Sequence, residues 1–215
     1  MSLQKIRFSE LDFKYDTDRL LKELNILKFV QYLTDASTHT NHYKMPIFNQ
    51  SQIKNCKIWK GINLTNPPDS VFIKNSSLSK IRNENSELEW VWVKEFPYMQ
   101  YIVKSLGFLK TNLVRVLVLE PGSIGPVHND NSTGSYYSVN RTSITLNISD
   151  GGSPLVFLNG NEIHSKMPGP TFLFRDDCWH GIPETKTQRF QVRINGMINE
   201  TVNKLLLQNT IMEII

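Results

Sequence analysis

The sequence predicts a mainly β protein, an all-β barrel or sandwich with flanking helices. Three observations carry that prediction. From Asn112 onward, short segments alternating apolar and polar residues recur about every 8 to 12 positions, as strands do. Between them stand turn dipeptides: Pro121-Gly122, Asp150-Gly151-Gly152, Pro168-Gly169 and above all Asn159-Gly160, the strongest short hairpin signal. Helical periodicities, finally, lie ahead of this run and behind it.

Taken in order, residues 17–33 read TDRLLKELNILKFVQYL, with Leu20, Leu24, Leu27 and Val30 at steps of three or four. That spacing predicts an amphipathic helix, and Asp16, Thr17 and Asp18 supply cap oxygens and negative charge for its first turn. Residues 36–94 are rich in Asn, Ser and Pro and hold only short strand-like pieces at 57–59, 71–74 and 90–93. Pro97 suits the first turn of a second helix, with Tyr98, Tyr101, Ile102 and Leu106 on one side and Gly107 at its end. Strands follow at 112–119 and 142–148. Residues 155–158 and 162–167 flank the Asn159-Gly160 turn, and further strands lie at 171–175 and 188–195. A Leu-rich helix is expected around 202–208. The predicted organisation is one domain: a helical and irregular part at 1–110 bracing a β core at 111–197, then a C-terminal helix at 198–215.

Composition narrows the function classes. A chain of 215 residues, 40% of them hydrophobic, buries roughly 70% of the surface that its unfolded form exposes, so it needs no staple to fold. Cys56 and Cys178 fit neither a disulfide framework nor a zinc pattern and are expected to be reduced thiols; Trp179 is expected beside Cys178 in the core. The net charge of +4 hides a division. Residues 1–110 carry 16 Lys/Arg against 11 Asp/Glu, and residues 111–215 carry 8 against 9. No block of like charge and no aromatic-basic stripe points to nucleic acid. No secretory signal and no membrane-length apolar segment is read in the chain, so a cytoplasmic location is expected.

The chemistry concentrates in three places. Val127-His128-Asn129-Asp130 follows a strand and a turn, and alternation on an extended chain points His128 and Asp130 to the same side. His180 arrives 52 residues later, just past the strand at 171–175. Two imidazoles and one carboxylate on a barrel face are the ligand set of a non-haem Fe(II) ion, with octahedral positions left open. Arg189 stands nine residues after His180. Alternation gives Arg189, Gln191 and Arg193 one strand face, and a guanidinium fork near a metal suits bidentate capture of a carboxylate. Arg193 is also read as an ion-pair partner of Asp176 or Asp177. His39, His42 and His164 have no partner at useful spacing and are expected at the surface. The polar segment 131–140, NSTGSYYSVN, is either a lid over the site or an ordinary connection.

The order His128-x-Asp130, His180, Arg189 resembles the Fe(II)/2-oxoglutarate-dependent oxygenase superfamily. Within it, RVLVLEPGSIGPVHND, NRTSITLNI, GPTFLFRDDCWHGIPE and QRFQVRI look most similar to the aspartyl/asparaginyl β-hydroxylase group. The likeness covers roughly residues 97–197 and departs from the best-known members of that group in keeping a carboxylate, Asp130. It implies a double-stranded β-helix (cupin-like jelly-roll) core, with iron on His128, Asp130 and His180 and the distal carboxylate of 2-oxoglutarate on Arg189. Arg141 and Thr145 are implied as further contacts to co-substrate or substrate. The implied reaction consumes O2 and 2-oxoglutarate, releases succinate and CO2, and hydroxylates an amino-acid side chain or a small metabolite. Two other readings stand beside it: a cupin-like protein binding a metal or acidic ligand without turnover, and a cupin metalloenzyme that does not use 2-oxoglutarate.

Overall fold

The structure, a computed structural model, describes residues 6–24, 60–69, 88–128, 142–159, 162–175 and 178–213. Two strand-rich layers dominate it. Eight strands form the core: β5 (Phe108–Leu119), β6 (Gly125–His128), β7 (Thr142–Asp150), β8 (Leu155–Asn159), β9 (Glu162–Lys166), β10 (Thr171–Arg175), β11 (His180–Ile182) and β12 (Arg189–Ile198). Their pairing follows one rule. β8 pairs with β9, β7 with β10, β6 with β11 and β5 with β12, all antiparallel, as if one long hairpin had been folded over on itself. Cross-pairing of β7 with β12 and of β8 with β11 closes the two layers. A long hairpin wrapped in this way is a double-stranded β-helix, the jelly roll.

The larger layer is widened by the chain ends and by the segment between the helices. With β1 (Ile6–Glu10), β2 (Lys60–Asn63) and β13 (Met212–Glu213) its order is β13-β1-β10-β7-β12-β5-β2; the smaller layer runs β6-β11-β8-β9. A separate pair joins β3 (Thr65–Asn66) to β4 (Val91–Trp92). The N-terminal part thus does more than brace the core from outside, because β1 and β2 extend the sheet itself. The expected strand piece at 90–93 is β4, whereas those at 57–59 and 71–74 lie outside the described residues.

Two helices cover the outer face of the larger sheet, α1 (Thr17–Leu24) and α2 (Pro97–Ser105). Asp16 caps α1 by accepting from the Arg19 amide at 2.9 Å. The first turn of α2 has no cap from its own N-cap residue, Phe96. Glu23 of α1 supplies one instead, its carboxylate accepting from the amides of Tyr98 and Met99 at 2.8 and 2.9 Å. Negative charge at a helix N-terminus is favourable, so this contact docks the helices and caps one of them together. Leu20, Leu24, Met99, Ile102 and Leu106 pack on Val114, Val116, Ile144, Leu146, Val192 and Ile194 of the sheet. Tyr101 departs from the expected apolar side and is 63% exposed. No helix among the described residues is long and apolar enough to cross a membrane.

The C-terminal helix expected at 198–215 is replaced by the end of β12, two short 3-10 helices (Glu200–Leu205 and Gln208–Thr210) and β13. The cause is competition for backbone groups. The Leu205 carbonyl accepts from Asp12, the Leu207 amide donates to Glu10, and Leu206 bridges Leu11. Backbone used to stitch the C-terminal segment to β1 cannot continue an α-helical ladder.

Candidate functional site

The larger sheet has two faces of opposite character. Its outer face is the aliphatic core under the helices. Its inner face, toward the smaller sheet, carries Ser143, Thr145 and Asn147 on β7, Arg189, Gln191, Arg193 and Asn195 on β12, and Phe172 and Phe174 on β10, as alternation and register require. Phe8, Phe157, Phe172, Phe174 and Leu155 form a small aromatic core joining the two sheets. Phe157 of the smaller sheet lies 5.9 Å from Phe8 and 6.4 Å from Phe174, ring centre to ring centre.

His180 opens β11, where it faces His128 of β6 on one side and Phe157 of β8 on the other. The two histidines that the sequence places 52 residues apart are therefore direct cross-strand partners. Residues opposite one another in an antiparallel pair share a face of the sheet, with Cβ atoms about 5 Å apart. Gly181 allows this approach: a Cβ there would lie 2.6 Å from Val127 Cγ2, 2.9 Å from Val127 Cα and 3.0 Å from the Gly125 carbonyl.

The His180 ring is buried and stands edge-on to Phe174, with ring centres 5.0 Å apart. Its Nδ1 is 2.7 Å from the Cys178 carbonyl. A carbonyl only accepts, so Nδ1 carries a proton, and in the neutral ring Nε2 then holds the lone pair, the tautomer that a metal ligand needs. One imidazole presented in this way is a donor that a divalent metal accepts. Asp130 and Arg141 lie outside the described residues, and among the described residues no group of three His, Cys, Asp or Glu is assembled for a metal.

Arg189 sits at the start of β12 with no exposed surface. Its Nη1 donates to the carbonyls of Asp150 and Ser153 at 3.0 and 2.7 Å, which fixes the guanidinium on the turn between β7 and β8. Burial pulls its pKa down to about 10, and the charge of Asp150 partly opposes that. Gly151, with φ +68°, makes room: a Cβ there would meet Arg189 Cβ at 2.8 Å. Thr145 is buried on the inner face, opposite Arg193 on one side and Phe172 on the other.

Several expectations change in detail. Asp176 and Asp177 lie outside the described residues; the contacts of Arg193 include Ser143 Oγ, 3.3 Å from its Nε, and Phe174, whose ring centre is 4.9 Å from its guanidinium carbon. Trp179 is 38% exposed rather than in the core. His164 is half-buried on β9, with Nε2 3.4 Å from Glu162. Cys178 is half-buried and in no disulfide among the described residues, while Cys56, His39, His42 and the segment 131–140 lie outside the described residues. Sequence reasoning missed Arg115. It lies directly opposite Arg193 on the inner face, and its signal was available as the one charge interrupting the apolar run 113–119.

No protein-family model and no curated protein matches the chain. Solved structures do resemble it at low identity. A 2OG-Fe(II) oxygenase family oxidoreductase from Burkholderia pseudomallei is 11% identical, over 87% of this chain and 94% of that one, with a TM-score of 0.44. A Pseudomonas putida prolyl-4-hydroxylase is 17% identical over 66% and 92%, with a TM-score of 0.37. A non-heme alpha ketoglutarate dependent epimerase from nogalamycin biosynthesis is 9% identical over 90% and 80%, with a TM-score of 0.47. The fold assignment rests on strand order and register, not on these likenesses.

Proposed function

We propose that this chain is an Fe(II)- and 2-oxoglutarate-dependent dioxygenase that hydroxylates an amino-acid side chain or a small metabolite, releasing succinate and CO2. The observation that carries the reading is the register pairing His128 with His180 across β6 and β11. In this reading His128, Asp130 and His180 hold the iron. Arg189 takes the distal carboxylate of 2-oxoglutarate, with Arg141 and Thr145 as further co-substrate or substrate contacts. When bound, iron and 2-oxoglutarate supply the oxidising chemistry.

The chain's own part is orientation and exclusion of water. The Cys178 carbonyl holds the His180 ring in the tautomer that offers Nε2. Phe157, Phe172 and Phe174 place an apolar cluster between the sheets, with Phe174 against His180, which strengthens any charge pairing beside it. Arg189 is itself fully buried, so a carboxylate reaching it would recover part of what its guanidinium lost on leaving water.

Anaerobic addition of Fe(II) and 2-oxoglutarate should produce a visible charge-transfer band, absent in His180→Ala. Arg189→Ala should weaken 2-oxoglutarate while sparing iron. A folded protein that neither binds 2-oxoglutarate nor releases succinate would sink the proposal. The alternative of a cupin metalloprotein without 2-oxoglutarate draws on one observation, the two carbonyls already bound by Arg189 Nη1. On that reading Arg189→Ala lowers stability only.

A further inference from the structure

β9 is the last strand of the smaller sheet: among the described residues it pairs with β8 alone, and no strand lies along its other edge. Its sequence is Glu-Ile-His-Ser-Lys, exposed throughout except for the half-buried His164, with Ile163 41% exposed. An edge strand offers its outward amides and carbonyls to any strand that fits beside it, and proteins commonly block such edges with charge. Here the order of the charges selects the strand that fits. A parallel copy of β9 in register would set Glu162 on Glu162 and Lys166 on Lys166, like charges that repel. An antiparallel copy centred on His164 sets Glu162 opposite Lys166 at both ends, and Ile163 opposite Ser165 on both sides of the centre.

The antiparallel register also covers apolar surface. The Trp179 carbonyl accepts from the Leu158 amide at 3.1 Å, and Leu158 faces Ile163 across β8 and β9, so a partly exposed apolar row reaches the edge of the sheet. In the antiparallel pair the two Ile163 side chains become diagonal neighbours on one face, about 7 Å apart and within reach of each other. Each removes apolar surface of the other from water. The register row His128, His180, Phe157, His164 meets its own copy at the same axis. The two His180 residues then stand five strand spacings apart, about 24 Å, so neither copy supplies a metal ligand to the other.

We propose that β9 is the seam of a symmetric dimer, pairing antiparallel with β9 of a second copy of this chain about a two-fold axis at His164. The two smaller sheets join there into one of eight strands, twice the four of a single copy. The seam is self-complementary, as an isologous two-fold interface requires. A five-residue seam is small for a specific interface, so the dimer is reversible, with a Kd on the order of 10 μM. The inference is independent of the dioxygenase reading, because β9 holds none of the residues assigned to iron or 2-oxoglutarate.

Sedimentation equilibrium of the full-length protein over a concentration series tests it. The wild type should show a monomer–dimer equilibrium, and its β9 amides should exchange hydrogen more slowly as concentration rises. Glu162→Lys sets Lys opposite Lys at both ends, and Lys166→Glu sets Glu opposite Glu; each should weaken the dimer about tenfold or more. The double variant Glu162→Lys/Lys166→Glu restores both pairs and should recover the wild-type Kd to within about threefold. His164→Cys should give a disulfide-linked dimer on mild oxidation, above the background of a wild type that carries Cys56 and Cys178, because only a residue on the axis meets its own copy. A wild type that stays monomeric would overturn the seam. So would a dimer whose β9 exchange is independent of concentration, which places the contact elsewhere, or a monomer whose β9 amides are slow at every concentration, which means that another part of the chain covers the edge. Single reversals without effect, or a double variant that fails to recover, would overturn the register. The two wild-type measurements decide even if a variant fails to fold.

Discussion

At the scale of single residues, burial of polar groups does most of the selecting. Arg189 loses its hydration, and the desolvation that lowers its pKa toward 10 is a cost present at every pH below that value. Two backbone carbonyls offset part of it. Tyr15 shows the opposite sign. Its hydroxyl donates to the Pro170 carbonyl at 3.3 Å, and burial, reinforced by Tyr98, raises its pKa to about 12. Below pH 10 both folded and unfolded forms keep the proton. Between 10 and 12 only the unfolded form releases it, so stability falls as pH rises through that window. The stability difference between wild type and Tyr15→Phe should therefore shrink from pH 10 upward, as read by urea unfolding at several pH values. A constant difference would show that Tyr15 titrates normally. The candidate site was legible in the sequence to the extent that it is ordered along the chain: His128, His180 and Arg189 come in sequence with a strand before them. Arg115 was not, because its pairing with Arg193 crosses 78 residues and is set only by register.

At the scale of elements, legibility followed turn signals more than length. β5, β7, β10 and β12 and the β8–β9 hairpin were readable because turn dipeptides bound them or their own alternation is long. β1, β2, β11 and β13 were not; they are short, no turn dipeptide brackets them, and they exist through their neighbours. β11 shows what that dependence means for function. A methyl group at position 181 would press on the backbone of Val127 and Gly125, atoms that cannot rotate away. Gly181→Ala should push β11 off β6, part His180 from His128 and weaken Fe(II) about tenfold or more, with a stability loss of about 1–3 kcal/mol. Anaerobic Fe(II) titration checks it, and unchanged affinity would mean the strands do not hold the ligands. The helices offer a contrast. Glu23→Ala removes the acceptor for two α2 amides and should lower unfolding free energy by about 1–2 kcal/mol. Hydrogen exchange at Tyr98 and Met99 should speed up in that variant while iron affinity stays put, because the contact lies on the outer face.

At the scale of the whole molecule, one sheet serves two cores. Aliphatic side chains on its outer face meet the helices, and polar, cationic and aromatic side chains on its inner face meet the smaller sheet. The strand period of two keeps these populations apart within the same residues of β12, where Val192 and Ile194 face out between Gln191, Arg193 and Asn195. The division makes a measurable claim: stability and site chemistry should be separable by face. Val192→Ala empties space in the outer core and should lower unfolding free energy by about 2 kcal/mol, leaving Fe(II) affinity as it was. Phe174→Leu changes a side chain that touches Phe157, Phe172, His180 and Arg193 together. It should lower stability by a similar amount, about 1–2 kcal/mol, but weaken Fe(II) binding several-fold, because it unseats His180. Urea unfolding alongside anaerobic Fe(II) titration resolves the comparison. If both variants lowered ligand affinity in proportion to lost stability, the inner face would have no separate role, and the two sheets would act as one undivided core.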